Sequence, residues 1–225
     1  MTKGIFITAT GTDVGKTFIS ALLVKKMRDS GLNCGYFKPA LSGAEFINGK
    51  LIPGDCEYVL RTAKINADPL DFVSYVFEPA VSPHLAAEIK NKEICLDKIK
   101  NDFERIKKSF DYIVVEGAGG IACPFNMKKN LLLPDIIKSL GLDTVIVANA
   151  LLGSINSAVL TVEYAKQHNI NIKGIVLNMY DENGIMQRDN KKCIEKLTGV
   201  KVLATAEKNA KDIEIENLKD IFKEI

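Results

Sequence analysis

The chain has 225 residues and a mass of 24.7 kDa, enough for one buried core, and a composition of 47% hydrophobic and 26% charged residues excludes a disordered, collagen-like or low-complexity chain. Its 30 basic and 28 acidic residues leave a net charge of +2 with no basic stripe, which argues against nucleic acid as a partner. Five scattered cysteines and two histidines offer neither a CxxC knuckle nor an all-protein zinc site, and they read as buried thiols in a reducing cytoplasm.

Short apolar runs alternate with segments of helical period, the pattern of βα units around a parallel sheet buried on both faces. Residues 1–225 are therefore expected to form a single α/β domain with a doubly wound, mainly parallel sheet flanked by helices. The first strand is predicted over Gly4–Thr8. Its apolar stretch stops too early for a signal-peptide core, and no run of about 18 apolar residues follows that could serve as a membrane span.

Thr8-Ala9-Thr10-Gly11-Thr12-Asp13-Val14-Gly15-Lys16-Thr17 joins that strand to a helix predicted over Lys16–Ser30, whose Ile19, Leu22, Leu23 and Met27 share a face and whose end is marked by Gly31. Phosphate binding at such a junction needs a glycine-bearing turn with its N–H groups aimed at oxygens, a helix N-terminus, a lysine for the outer phosphates and a hydroxyl for Mg2+. Gly15, Lys16 and Thr17 supply those parts, so the segment resembles a P-loop, although Thr10 stands where the strict GxxxxGK[ST] spacing has glycine.

The second strand, Cys34–Phe37, runs into Lys38-Pro39-Ala40-Leu41-Ser42-Gly43, which places an ammonium and then a hydroxyl at the same sheet edge, a natural arrangement for anion capture. A surface lysine before a proline turn is the competing reading of Lys38. From Leu41 to Pro83 the chain is rich in turns and is expected to form loops with short helices; Asp55 follows the Pro53-Gly54 turn there. The third strand, Tyr112–Val115, is followed by Glu116 and then Gly117-Ala118-Gly119-Gly120. A glycine run behind a buried strand has little packing purpose, so the backbone is free to approach a ligand. Glu116 and Asp55 are the carboxylates expected on the Mg2+ of a bound nucleotide.

Further strands are predicted at Thr144–Val147 and Gly174–Leu177, with a weaker one at Lys201–Leu203. Between the first two, a helix is expected from near Ser154, read as its cap, with Ile155, Ala158, Val159, Val162 and Ala165 at helical spacing. Ligands of open α/β sheets bind beyond the carboxyl ends of the strands, where the loops named above lie.

In combination, the Thr12–Thr17 loop, Lys38-Pro39 with Ser42-Gly43, Asp55, Ser82-Pro83-His84, Glu116–Gly120, Gly153–Asn156 and Asn178 resemble the dethiobiotin synthetase family over nearly all of residues 1–205. The resemblance implies a homodimeric ATP-dependent carboxylase that converts diaminopelargonic acid, CO2 and MgATP into dethiobiotin, ADP and phosphate. A carbamate forms first, ATP phosphorylates it to a mixed anhydride, and the second amine closes the cyclic urea. Carried onto this chain, it implies that Asp13, Val14, Gly15, Lys16, Thr17 and Phe18, with Gly117, Ala118 and Gly119, hold the nucleotide, and that Asn178 bonds the adenine. Thr17, Asp55 and Glu116 would hold Mg2+. Lys16 and Lys38 would stabilise the carbamate and the transferring phosphoryl group, with Thr12, Asp13 and Ser42 near the diamine. Gly153, Ser154, Ile155 and Asn156 would bind the substrate carboxylate from the other subunit.

Three stretches depart from the family pattern. Ala9 occupies a position that is often Gly, Ala204-Thr205-Ala206-Glu207 replaces a common Gly-x-x-Pro, and Lys191-Lys192-Cys193 falls where a partner helix often carries Tyr. A ParA- or MinD-like switch ATPase, acting by nucleotide-dependent dimerisation, is the competing reading. Those proteins carry an extra lysine early in the loop, and Thr8–Asp13 has none.

Overall fold

A computed structural model describes residues 1–225. Its central sheet has seven strands: β1 (Lys3–Ala9), β2 (Cys34–Phe37), β3 (Tyr112–Glu116), β4 (Thr144–Asn149), β5 (Ile172–Asn178), β6 (Val202–Ala206) and β7 (Lys223–Glu224). The order β6-β5-β4-β1-β3-β2 is parallel throughout, and β7 pairs antiparallel with Lys3 and Gly4 at the amino end of β1. The helices are α1 (Lys16–Asp29), α2 (Gly54–Thr62), α3 (Pro83–Ile89), α4 (Leu96–Lys107), α5 (Leu133–Ser139), α6 (Ser154–Gln167) and α7 (Ile185–Thr198). None is long and apolar enough to cross a membrane.

Side chains alternate across a strand, and both faces of this sheet are covered by apolar groups. Val145 and Val147 of β4 accordingly join a cluster of 54 buried hydrophobic residues, while Ile146 and Ala148 join a second cluster of 10 with Ala158 and Val162 of α6 and Ile194 of α7. Helix α1 ends as its sequence indicates. Leu32 N–H donates to the Met27 carbonyl at 3.1 Å and Gly31 N–H to that of Arg28 at 2.9 Å, with Gly31 at φ 79°, which is a Schellman closure.

All six predicted strands are present, and the differences lie at their ends. β4 and β5 run on together to the Asn149–Asn178 pair, because parallel pairing continues past the apolar run that marked them. β6 covers Val202–Ala206 rather than Lys201–Leu203, so the Ala204–Ala206 stretch is strand. β7 was not foreseen; two exposed charged residues carry no strand pattern.

The expected Ser154 cap is corrected. Gly153 is the N-cap, in the left-handed region at φ 89°, Ser154 is already helical, and its buried hydroxyl has no hydrogen-bond partner. The turn-rich stretch also holds two short ladders, Leu41–Ser42 with Val76–Phe77 and an exposed hairpin of Glu45–Ile47 with Lys50–Ile52. Each is too short to show a period.

The strand order positions the site. From β1 the chain steps out to β2, returns to β3 beside β1, and then crosses to β4 on the other flank of β1. The order reverses at β1, and the crevice at the carboxyl ends of strands around such a point is where ligands bind in this class of sheet.

Candidate active site

The loop leaving β1 is braced from behind. Gly15, the N-cap of α1, sits at φ 102°, and a Cβ there would stand 2.0 Å from Asn178 Nδ2. Only glycine fits both the conformation and the close approach. That same Nδ2 donates to the Val14 carbonyl at 3.0 Å, pinning the loop to the end of β5. No side chain caps the first turn of α1 and no acidic residue lies in it, so its N–H groups face the crevice unclaimed by side chains. Lys16 Nζ folds back to the Gly11 carbonyl at 2.9 Å. Burial, and then the charge of Lys38, hold its pKa below the ordinary lysine value.

Beside the loop, α1, α2 and the end of β2 converge on the end of β3, whose last residue, Glu116, has a fully buried side chain. Its Oε1 accepts from Thr17 Oγ1 at 2.8 Å and from Lys38 Nζ at 2.5 Å, and its Oε2 accepts from Tyr36 Oη at 2.8 Å. Lys38 Nζ also lies 2.9 Å from Asp55 Oδ2, in the first turn of α2, and 3.3 Å from the Gly117 carbonyl. Lys38 is only 3% exposed, which overturns the reading of a solvated surface lysine.

Burial by itself would lower the Lys38 pKa, but the charges of Glu116 and Asp55 outweigh it and hold the ammonium above the usual lysine range. Asp55 shows the reverse balance: burial acts to raise its pKa, and Lys38 holds it below the ordinary carboxylate value. A depressed carboxylate pKa stabilises the fold fully above its unfolded value of ~3.9 and loses that contribution as pH falls through the folded value. The difference in melting temperature between wild type and Asp55→Asn is therefore expected to be present at pH 7 and to close below about pH 4. A difference that does not vary with pH would show that the pair contributes nothing.

The cleft over this cluster has two adjoining lobes. The first, about 630 Å³, is lined by Lys16, Thr17, Phe18, Lys38, Asp55 and Glu116; the second, about 690 Å³, extends over Ser82, Pro83 and Cys123. Thr12, Asp13, Ser42, Ala118 and Gly119 line both. Val14 and Gly117 sit behind the surface and contribute carbonyls to Asn178 and Lys38. Asn178 itself is buried behind the loop and lines neither lobe. Gly153, Ser154, Ile155 and Asn156, beyond β4, also line neither, and Lys191-Lys192-Cys193 lies on α7 away from both.

Tyr36, Tyr58 and Cys123 were not singled out from sequence. A signal for Tyr36 existed. It stands two residues before Lys38, and its register partner Val114 stands two before Glu116, so strand period puts all four side chains on one face.

The donor set discriminates between metals. No three His, Cys, Asp or Glu side chains gather into a cage, and the oxygens here belong to Asp55, Glu116 and Thr17. Such a set does not suit structural zinc. It fits Mg2+, which keeps several waters and binds through one or two carboxylates plus the substrate's phosphates.

The profile of the AAA domain family matches residues 3–213. Among solved structures, a chain of the MinC:MinD cell division protein complex of Aquifex aeolicus superposes with a TM-score of 0.58 at 20% identity, covering 92% of this chain and 82% of that one. A ParA family ATPase from Chlorobium tepidum TLS gives 0.57 at 16% identity, covering 92% and 84%. At such identities the likeness is one of fold. Sheet order, loop and neighbours together make this protein a P-loop NTPase-type α/β protein. Two curated relatives carry the comparison further: the ATP-dependent dethiobiotin synthetases BioD of Clostridium botulinum strain 657 (Type Ba4) and strain Loch Maree (Type A3). They are 53% identical over 228 residues and 49% identical over 227, each across 100% of both chains. This chain belongs to the ATP-dependent dethiobiotin synthetase family, and it is an enzyme of the ligase class. The competing switch-ATPase reading is left with a shared fold alone.

Proposed function

We propose that the enzyme uses MgATP to carboxylate 7,8-diaminopelargonic acid with CO2 and to close the product to dethiobiotin, releasing ADP and phosphate. The observation that carries this reading is the meeting of Lys38, Glu116, Asp55 and Thr17 within hydrogen-bonding distance beside the β1–α1 loop. The whole of residues 1–225 is taken as one domain, working in the cytoplasm.

Phosphates lie against the N-terminus of α1, with Lys16 exchanging the Gly11 carbonyl for their oxygens. Thr17, Asp55 and Glu116 hold Mg2+, which when bound neutralises phosphate charge that the lysines alone cannot. The nitrogen of one substrate amine attacks the carbon of CO2 and releases a proton to solvent, forming a carbamate, so a neutral group becomes an anion. Lys38, held between Glu116 and Asp55, is a fixed cation for that anion. A carbamate oxygen then takes the γ-phosphoryl group from ATP with departure of ADP. The second amine attacks the carbonyl carbon of the mixed anhydride, the carbon–oxygen bond to phosphate breaks, and the amine's proton leaves to solvent as phosphate departs. Little covalent work falls to the protein beyond positioning and charge.

Thr12, Asp13 and Ser42 line both lobes, and they support a diamine lying across their junction with the nucleotide in the first. Asn178 would present its remaining polar capacity to the base while bracing Val14. Gly153, Ser154, Ile155 and Asn156 would bind the substrate carboxylate from a second copy, which makes the working form a homodimer.

Replacing Asp55 or Glu116 by Ala is expected to raise the Mg2+ concentration for half-maximal rate at least ~10-fold, since each substitution removes a charged ligand contact. An unchanged Mg2+ titration for both variants would overturn their assignment. The reaction itself is tested by mixing the purified protein with diaminopelargonic acid, bicarbonate and MgATP. Diamine-dependent ADP together with the cyclic urea, identified by mass, is the expected result. ADP formation indifferent to the diamine would overturn it in favour of a switch ATPase.

A further inference from the structure

Tyr36 lies beneath the acid–lysine cluster rather than in the cleft. Its side chain is fully buried and lines neither lobe, so it cannot touch a ligand directly. Its hydroxyl nevertheless reaches Glu116 Oε2 at 2.8 Å, while Oε1 takes both Thr17 and Lys38. The two oxygens of one carboxylate are thereby given separate duties: one faces the groups beside the phosphate loop, and the other is tied to the floor of the sheet. The phenol O–H is the donor in this contact and the carboxylate oxygen the acceptor. Its ring is held by strand packing on β2, where all four residues are buried, so the donor is fixed in place. A buried carboxylate that lost this donor would keep an unsatisfied oxygen and gain freedom to rotate.

We propose that Tyr36 is a positioning residue: it sets the rotamer of Glu116 and so determines which carboxylate oxygen is presented, with Thr17, to the Mg2+ of a bound nucleotide. This inference rests on the reading of Glu116 as a Mg2+ ligand given above. The competing account is purely structural, in which a buried phenol needs a partner and Glu116 happens to supply it. The two accounts differ in where the effect is felt. A positioning role predicts a change confined to metal-dependent binding, whereas a structural one predicts a change in melting temperature alone.

The test is calorimetric titration of ADP, and of a non-hydrolysable ATP analogue, into wild type and Tyr36→Phe, each once in EDTA and once in Mg2+. Partners that orient a metal ligand typically contribute 10–100-fold to metal affinity. In Tyr36→Phe the affinity measured in EDTA is expected to stay within about twofold of wild type, and the affinity in Mg2+ to fall about 10-fold. The Mg2+ concentration for half-maximal turnover should rise in step, with the rate at saturating Mg2+ affected less. In a Glu116→Gln background the added Tyr36→Phe change should do nothing further to metal-dependent binding. That arm also serves if the single variant folds poorly, because the oxygen left behind then belongs to a neutral amide. Wild-type Mg2+ enhancement in Tyr36→Phe, together with its loss in Glu116→Gln, would overturn the positioning role alone. A further loss in the Glu116→Gln background would show that Tyr36 acts through other groups, which also overturns it. Full Mg2+ enhancement in Glu116→Gln would instead remove Glu116 from the metal site, and the inference with it.

Discussion

In Lys38→Ala, turnover is expected to fall ~10²–10³-fold at saturating diamine, bicarbonate and MgATP, with ATP affinity largely kept. The reason is a division of labour between two lysines. In the proposed mechanism Lys16 and the N-terminus of α1 remain to hold phosphates, whereas Lys38 is the cation set against the carbamate and the group it receives. Because Lys38 is buried between Glu116 and Asp55, a second effect comes with the first. Removing one partner of a buried ion pair leaves charge uncompensated and typically costs ~3–5 kcal/mol, so the melting temperature should fall as well.

The two effects are separable by normalising rates to the amount of protein that binds ATP. A lysine that served only the fold would give a lower melting temperature and a normalised rate within about twofold of wild type, an outcome that excludes the catalytic role. A variant that has lost ATP affinity and nothing else would move Lys38 into the phosphate site.

Lys16→Ala is expected to weaken MgATP binding by ~10²-fold, read by calorimetry. Hydrogen bonds to charged groups contribute ~1.5–3 kcal/mol each, and every ~1.4 kcal/mol is a factor of ten. The variant should remain folded, since the hydrogen bond of its ammonium is to a single carbonyl, that of Gly11, and no buried carboxylate depends on it. Its lowered pKa points the same way: a partly desolvated ammonium beside Lys38 gains when an anion arrives. Unchanged MgATP affinity in correctly folded Lys16→Ala protein would end the assignment of the loop as a phosphate site.

Strand, loop and helix from Lys3 to Asp29 were legible in the sequence because everything needed is contiguous: an apolar run, a glycine at the turn, a lysine and hydroxyl behind it, and an amphipathic segment closed by Gly31. The five further parallel strands and the helix behind Gly153 were legible for the same reason, since hydrophobic period is a local property, whereas α4, α5 and α7 were not singled out. Glu116 could be selected by its place between a buried strand and a glycine run. For the family, order and spacing of several short motifs sufficed, with no contact between them known.

What only the tertiary structure decided is which of these pieces meet. Asp55 and Glu116 share one ammonium because β2 and β3 are neighbours and α2 brings its first turn over Lys38, facts of strand order that no local window contains. Tyr36 joins them through register, and Asn178 braces Val14 across 164 residues. The same holds for the ends of elements. Gly153 rather than Ser154 caps α6, and β7 exists only because β1 leaves its amino-terminal backbone open on one side. Periodicity reports which face of a segment is buried; the partner it is buried against is set by how the sheet as a whole covers its apolar surface, and that is where the cluster around Glu116 is made.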